Sequence, residues 1–413
     1  MSLRPRLICA LAIGFALMSA GTVHAAPGME LAVMDDAVLM SRLYGSFPKT
    51  ISLVSQLRAS HIRTNVNWQY VVGPAAKRRT PPRHIDYNWT GYDALIREAA
   101  RRRMSVELTL TGPAPAYATG NHRIGHVSPN ARAFKAFASA AAEHFLGKVA
   151  RYTIWNEPNY RGWLAPMSAA PKLYRSLYTA GYTAIKAADP TAQVLIGETS
   201  PFALRDRATA PLQFLRAVTC ASRDYSAARS CEPLVADGYA HHAYDPAHSP
   251  TYRYPGSDNV TMGTLDRLTR ALDKLAAAGL LSTPDGRALD VYVTEYGFFA
   301  SGKKRIPALT HARYLVKAFT MAQANPRVRQ MLQYLIVKPR GNLRHWDTSI
   351  ADGHSRPSLA FKRLASWARA ALAAGRIAPG RDSPDLRVRP RDRGPCPALP
   401  PSPRRHPRQP RCR

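Results

Sequence analysis

Residues 152–197 read YTIWNEPNYRGWLAPMSAAPKLYRSLYTAGYTAIKAADPTAQVLIG. A short β-branched and aromatic run at 152–156 leads into 171–188, where apolar residues recur at helical spacing, and 193–197 is short and aliphatic again. Pro171 sits where a helix can open without losing a hydrogen bond, and Asp189-Pro190 closes it. The stretch is therefore a strand, a crossover helix and a second strand. Working outward in both directions, the same alternation recurs. Strands are predicted at 30–35, 62–68, 105–110, 152–156, 193–197, 235–241, 291–295 and 332–337. Helices are predicted at 48–59, 91–103, 129–146, 171–188, 209–221, 262–280, 308–324 and 357–373, with Ser128 as the cap of the third ahead of Pro129. Eight strands alternating with eight helices imply an α/β fold, a closed parallel (β/α)8 or TIM barrel. The competing open, doubly wound sheet carries a Gly-rich phosphate turn after its first strand, and no such turn follows Asp35-Asp36.

The chain has 413 residues, 46% of them hydrophobic and 21% charged, enough to bury a large core, so wholesale disorder and a small disulfide-stapled fold are excluded. The 58 Lys and Arg against 27 Asp and Glu give a formal charge of +31. At the N-terminus, Arg4 and Arg6 precede an apolar run at 7–20, and Val23-His24-Ala25 offers the small residues of a cleavage site. Residues 1–25 are therefore expected to be an export signal. The apolar run is shorter than the roughly 18 to 20 residues of a membrane-spanning helix, so a secreted protein without a transmembrane anchor is expected; an uncleaved N-terminal anchor is the alternative. Cys9 would leave with the signal. Of the remaining cysteines, Cys220 and Cys231 form the candidate local disulfide in an oxidising compartment, and Cys396 and Cys412 have no assigned partner.

A barrel domain is expected over 26–375 and a disordered basic tail over 376–413. The last forty residues hold ten Pro and eleven Arg against three Asp, a composition that cannot bury enough surface to offset its chain entropy. Such a tail suits weak binding of anionic surface polymers; the alternative is an Arg-rich habit of the whole chain. Nothing resembles a nucleic-acid-reading module, and no nucleic-acid partner is expected. No metal or cofactor is expected either: His241-His242 lies in a strand, where neighbours face opposite ways, and no C-x2-C pair occurs.

In a barrel of this kind chemistry belongs at the C-terminal ends of the strands. The fourth strand ends in Ile154-Trp155-Asn156-Glu157-Pro158-Asn159 and the seventh in Val293-Thr294-Glu295-Tyr296-Gly297, so each brings a glutamate to the rim. One such carboxylate commonly caps a helix or pairs with an arginine. Two among aromatic and amide residues fit glycosidic-bond cleavage, which needs one carboxylic acid to protonate the departing oxygen and one carboxylate at the anomeric carbon.

On these two motifs the chain resembles the clan A glycoside hydrolases, most closely family 39, with family 5 as neighbour. The resemblance covers the barrel and not the tail. It implies that Glu157 is the general acid/base, Glu295 the nucleophile and Asn156 the partner of the sugar 2-hydroxyl. His242-Ala243-Tyr244 matches an H-x-Y pattern whose tyrosine holds the nucleophile as a carboxylate, and Arg63 matches the cation beside it. Arg63 and Tyr244 would then keep Glu295 ionised, while a drier site keeps Glu157 protonated. For Asn156 and Glu157 both to face a sugar, the strand must distort at its end. Arg63 also admits the role of a barrel-interior ion-pair residue, and His242 and Tyr244 that of residues simply lining the rim.

Trp68, Trp163 and Trp346 are candidates for stacking on sugar rings, with packing as the alternative. Glu198 and Asp237 read as structural or as lesser substrate contacts. Many relatives end the eighth strand with a tryptophan, where this chain has Leu335-Ile336-Val337-Lys338-Pro339; either Trp346 reaches in from the loop or the platform is absent. The implied activity is that of a secreted retaining β-glycosidase acting on an oligo- or polysaccharide. The alternative is a catalytically lapsed, carbohydrate-binding barrel.

Overall fold

The structure, a computed structural model, describes residues 28–380. The expected signal, Cys396, Cys412 and nearly all of the expected tail lie outside these residues. Ile377, at the start of the segment read as tail, is buried and bridged to Met29.

Among the described residues a closed barrel forms from eight parallel strands: β1 (Glu30–Met34), β2 (His61–Asn67), β3 (Ser105–Thr111), β4 (Arg151–Ile154), β5 (Gln193–Thr199), β6 (Gly238–His242), β7 (Val291–Glu295) and β8 (Val328–Tyr334). Each pairs with its neighbours in sequence, and β8 closes on β1 through Glu30 opposite Gln330 to Met34 opposite Tyr334. The principal helices are α1 (Phe47–Gln56), α2 (Thr90–Arg101), α3 (Ala131–His144), α4 (Ala170–Ala188), α5 (Pro211–Thr219), α6 (Leu265–Ala277), α7 (Ala308–Ala324) and α8 (Leu359–Ala373). None of the described helices is long and apolar enough to cross a membrane.

Period-two alternation divides each strand between two environments. Outward residues such as Ile62, Leu108, Ile154, Val194 and Val293 join the main core under the helices, each Val, Leu or Ile contributing about 1.5–3 kcal/mol on full burial. Helix α4 packs there through Tyr174, Leu177, Tyr178, Gly181, Ala184 and Ile185, the stripe that a 3.6-residue period predicts. Gly181 permits the approach, because a Cβ would collide with Ile154 and Phe134. Inward residues form two small apolar groups, Ala32–Met34–Leu332 and Leu195–Ala240–Tyr292. Between them runs a column of charge: Glu30 to Arg151 at 2.8 Å, Arg151 to Glu107 at 3.4 Å and Glu107 to Arg63 at 4.0 Å.

Several boundaries differ from expectation. Helix α3 is capped by Asn130, whose side-chain oxygen accepts from the Ala133 amide at 2.9 Å; Ser128 instead takes a left-handed conformation at φ 46°. The expected sixth strand divides. Leu234–Val235 leaves the barrel to pair with Leu281–Ser282, and Asp237 accepts from the Val194 amide and pairs with Lys186 before β6 begins. The eighth strand starts four residues early because its inward positions carry polar Gln330, which bonds Arg151 and Glu107 inside the barrel. It stops at Leu335, left-handed at φ 61°, after which the Ile336 and Val337 amides donate to Asp35. Cys220 and Cys231 are bridged, as expected, across a Cα separation of 6.3 Å.

Candidate active site

Each strand that brings a carboxylate to the rim loses its regularity there. Strand β4 ends at Ile154, and Trp155 and Glu157 then take φ of 64° and 39°. The β5–β6 register slips between Gly197 and Thr199, at Glu198, whose φ is 51°; the β6–β7 register slips where His241 faces Val293 and His242 faces Glu295, leaving Thr294 as the extra residue. A bulge adds one residue to a strand and re-aims the side chain that follows. Left-handed backbone at a side-chain-bearing residue costs about 1–3 kcal/mol and persists only where its surroundings impose it. Gly197 is needed beside Glu198, since at its φ of 116° a Cβ would strike the Ala240 carbonyl. Asn159, fully buried, fastens the distorted end of β4 by bonding the Ser200 amide at 2.8 Å and the Ser200 and Thr209 carbonyls. The Glu157 amide donates to the Glu198 carbonyl at 3.0 Å.

These distortions bring Glu157, Glu198 and Glu295 around one imidazole. His242 Nδ1 lies 3.0 Å from Glu157 Oε1 and 3.7 Å from Glu295 Oε2, and its Nε2 lies 2.7 Å from Glu198 Oε2. Arg63, buried at the same level, donates to Glu295 Oε1 at 2.8 Å, Glu198 Oε2 at 2.8 Å and Asn156 Oδ1 at 2.9 Å. The Tyr244 hydroxyl donates to Glu295 Oε2 at 3.1 Å. The expected distortion after strand four is present, and Asn156, Glu157 and Glu295 all line one cleft of about 880 Å³.

Burial favours a neutral His242, but the carboxylates of Glu295, Glu157 and Glu198 outweigh it and push the ring up to about 10. Burial likewise opposes an ionised Glu198, yet Arg63 and the His242 hydrogen bond hold it down at about 2. The expectation that a drier site distinguishes Glu157 is not met. Its side chain is 19% exposed against 11% for Glu295, because it projects from a loop and not from a strand. What distinguishes the two is their partners: Glu295 receives Arg63 and Tyr244, whereas Glu157 faces His242 alone.

The three tryptophans separate. Trp163 and Trp346 line the cleft, Trp346 from the loop after β8, edge-on to Tyr244 at 5.4 Å and to Phe299 at 5.1 Å. Trp68 does not. It is fully buried and stacked on Phe137 at 5.3 Å, because a short helix, Trp68–Val72, begins at its position and turns the ring under α3. Asp237 is structural, as its contacts at the base of β6 show. Sequence reasoning missed the mouth of the cleft: Tyr160, Arg207, and the stacked pair Phe202 and Tyr254 with ring centres 4.9 Å apart. These lie in irregular loops with no periodic signal. The described residues contain no group of His, Cys, Asp and Glu arranged to hold a metal ion.

No protein-family profile and no curated protein matches the sequence. Solved structures do match its fold. One is a family 39 glycoside hydrolase from Bacteroides cellulosilyticus, with a TM-score of 0.62 and 17% identity, covering 83% of this chain and 64% of that one. A monomeric β-xylosidase from Caulobacter crescentus aligns at a TM-score of 0.55 and 16% identity, over 83% of this chain and 69% of that one. Xylanase 10B from Thermotoga maritima aligns at 0.51 and 14%, over 84% and 97%. The chain thus shares the barrel of glycoside hydrolases and spans less than two thirds of the Bacteroides enzyme.

Proposed function

We propose that the protein is a secreted retaining β-glycosidase of the clan A type, acting on an oligo- or polysaccharide. The observation that carries this reading is the meeting of Glu157 and Glu295 on one imidazole nitrogen in an open cleft. Their nearest oxygens are no farther apart than the sum of those two contacts. That ceiling admits the roughly 5 to 5.5 Å of retention and lies below most of the roughly 6.5 to 9.5 Å range of inversion. The likeness to family 39 enzymes and to a xylanase supports a carbohydrate substrate.

In this mechanism Glu157 gives its proton to the glycosidic oxygen as the bond from that oxygen to the anomeric carbon breaks, its electron pair leaving with the oxygen. Glu295, held by Arg63 and Tyr244, forms the new bond to carbon. Glu157, now a carboxylate, takes a proton from water, which attacks the same carbon and releases Glu295 with configuration kept. Trp163, Trp346 and the Phe202–Tyr254 pair offer faces for several sugar rings, and the cleft volume suits a chain longer than one unit. Trapping with 2-fluoro glycosides tests the reading: mass spectrometry should find the sugar on Glu295, and Glu295→Gln should lose at least about 10⁴-fold in kcat. Label on another residue would reject Glu295 as the nucleophile, and no turnover of any aryl glycoside or polysaccharide would reject the reading in favour of a lapsed, sugar-binding barrel.

A further inference from the structure

Glu198 has no counterpart in a two-carboxylate mechanism, yet it is fully buried at the centre of the site. Its Oε2 accepts from Arg63 at 2.8 Å, from His242 Nε2 at 2.7 Å and from Thr294 Oγ1 at 3.3 Å, and its Oε1 has no hydrogen-bond partner. His242 is thereby clamped between two carboxylates, with Glu198 on one nitrogen and Glu157 on the other.

A neutral imidazole has one N–H. If Nε2 spends it on Glu198, Nδ1 becomes an acceptor, and a protonated Glu157 must turn its proton inward along Oε1 toward the ring. If both nitrogens are protonated, Nδ1 donates to Oε1 and the transferable proton of Glu157 is left to Oε2. The charge on Glu198 decides between these arrangements, because it lies against the ring and favours the imidazolium.

Resting on the glycosidase reading, we propose that Glu198 is a positioning residue that keeps His242 a donor at both nitrogens and so confines the catalytic proton to Oε2 of Glu157. The surroundings of the ring agree. The carboxyl groups of Glu198 on β5, Glu295 on β7 and Glu157 beyond β4 face it; against them stands the Arg63 guanidinium, which shares Glu198 Oε2 with the ring, while the neighbouring His241 is pushed down to about 3 by burial and Tyr244 well above the ordinary phenol range. Once the proton has left Oε2, the carboxylate that remains on Glu157 already accepts a charge-assisted bond from Nδ1. Arg63, shared by Glu198, Glu295 and Asn156, ties the same residue to the nucleophile's orientation.

Full-length enzyme carrying ¹⁵N-labelled histidine provides the first test, with the His242 signals assigned by their loss in His242→Gln. Both ring nitrogens should be protonated from pH 5 to 8 in the wild type; a neutral ring at pH 6 overturns the proposal, whether or not the protein proves to be a glycosidase. The second test compares leaving groups. In Glu198→Gln, kcat/KM should fall by about a hundredfold on an alkyl glycoside, whose departure needs the proton. On a dinitrophenyl glycoside, whose departure does not, it should fall by less than about tenfold. Equal losses on the two substrates would make Glu198 a merely structural residue. A wild type inactive on both would sink the glycosidase reading, and the histidine signals would still report on the ring.

Discussion

Glu295 holds two directed bonds and Glu157 one, and this asymmetry is open to single substitutions. Tyr244→Phe removes one donor and leaves the Arg63 bond. With a hydrogen bond to a charged group worth about 1.5–3 kcal/mol, kcat/KM should fall roughly ten- to a hundredfold, with unfolding midpoints little changed. Trp163→Ala should raise KM severalfold and leave kcat near the wild-type value, because the ring lines the cleft beyond the reacting groups; an equal fall in kcat would assign it to the chemistry instead. At this scale the sequence was informative wherever a side chain's role follows from its strand position. Glu157, Glu295, Asn156, Arg63, His242 and Tyr244 meet because parallel strands deliver their ends to one rim. The tryptophans were not separable in this way. Trp68 and Trp163 both follow strand ends, and only the helix that starts at Trp68 and the three rings of Phe134, Phe137 and Tyr117 around it decide that it packs.

At the level of elements, the strand count, order and closure were legible because alternating periodicities of 2 and 3.6 residues survive even where single positions mislead. Boundaries failed where polar residues serve the barrel interior. Gln330 reads as loop and is fully buried in β8. Cap chemistry failed at one helix: Ser128, read as its cap, sits ahead of Pro129 in left-handed backbone, and Asn130 beyond the proline caps α3 because its backbone is extended. Asn130→Ala should therefore destabilise the protein by about 1 kcal/mol and Ser128→Ala by much less, read from denaturant midpoints. The Cys220–Cys231 bridge spans a separation of 11 residues behind α5, for which chain entropy predicts a loss of about 3 kcal/mol when Cys231→Ser opens it. Turnover should persist in that variant at temperatures where it remains folded, since neither cysteine lines the cleft.

Over the whole molecule, buried ionisation sets the pH range of stability. Glu198 is held at about 2, below its ordinary 4.5, so its contribution to folding is present above pH 4.5 and is lost as pH falls toward 2. His242 is raised to about 10 from 6.5, so its contribution is complete below pH 6.5 and is lost as pH climbs toward 10. Asp35 and Asp36, lifted by burial to about 7 and about 6 from 3.8, work in the same direction as the histidine: each favours folding most at low pH and less as pH passes its folded value. Denaturation midpoints should accordingly be highest at about pH 4, fall as Asp35 and Asp36 ionise toward pH 7, and fall further above that as His242 gives up its proton. In His242→Gln the decline between pH 7 and 10 should flatten; an unchanged decline would show that other groups cause it.

The bent strand ends carry a lesson for anyone who would transplant this chemistry. Copying two glutamates onto the straight strands of another cylinder would leave them pointing at its wall, because Trp155, Glu157 and Glu198 reach their places only through left-handed backbone and a slipped register. A successful graft must move the kink together with the residue.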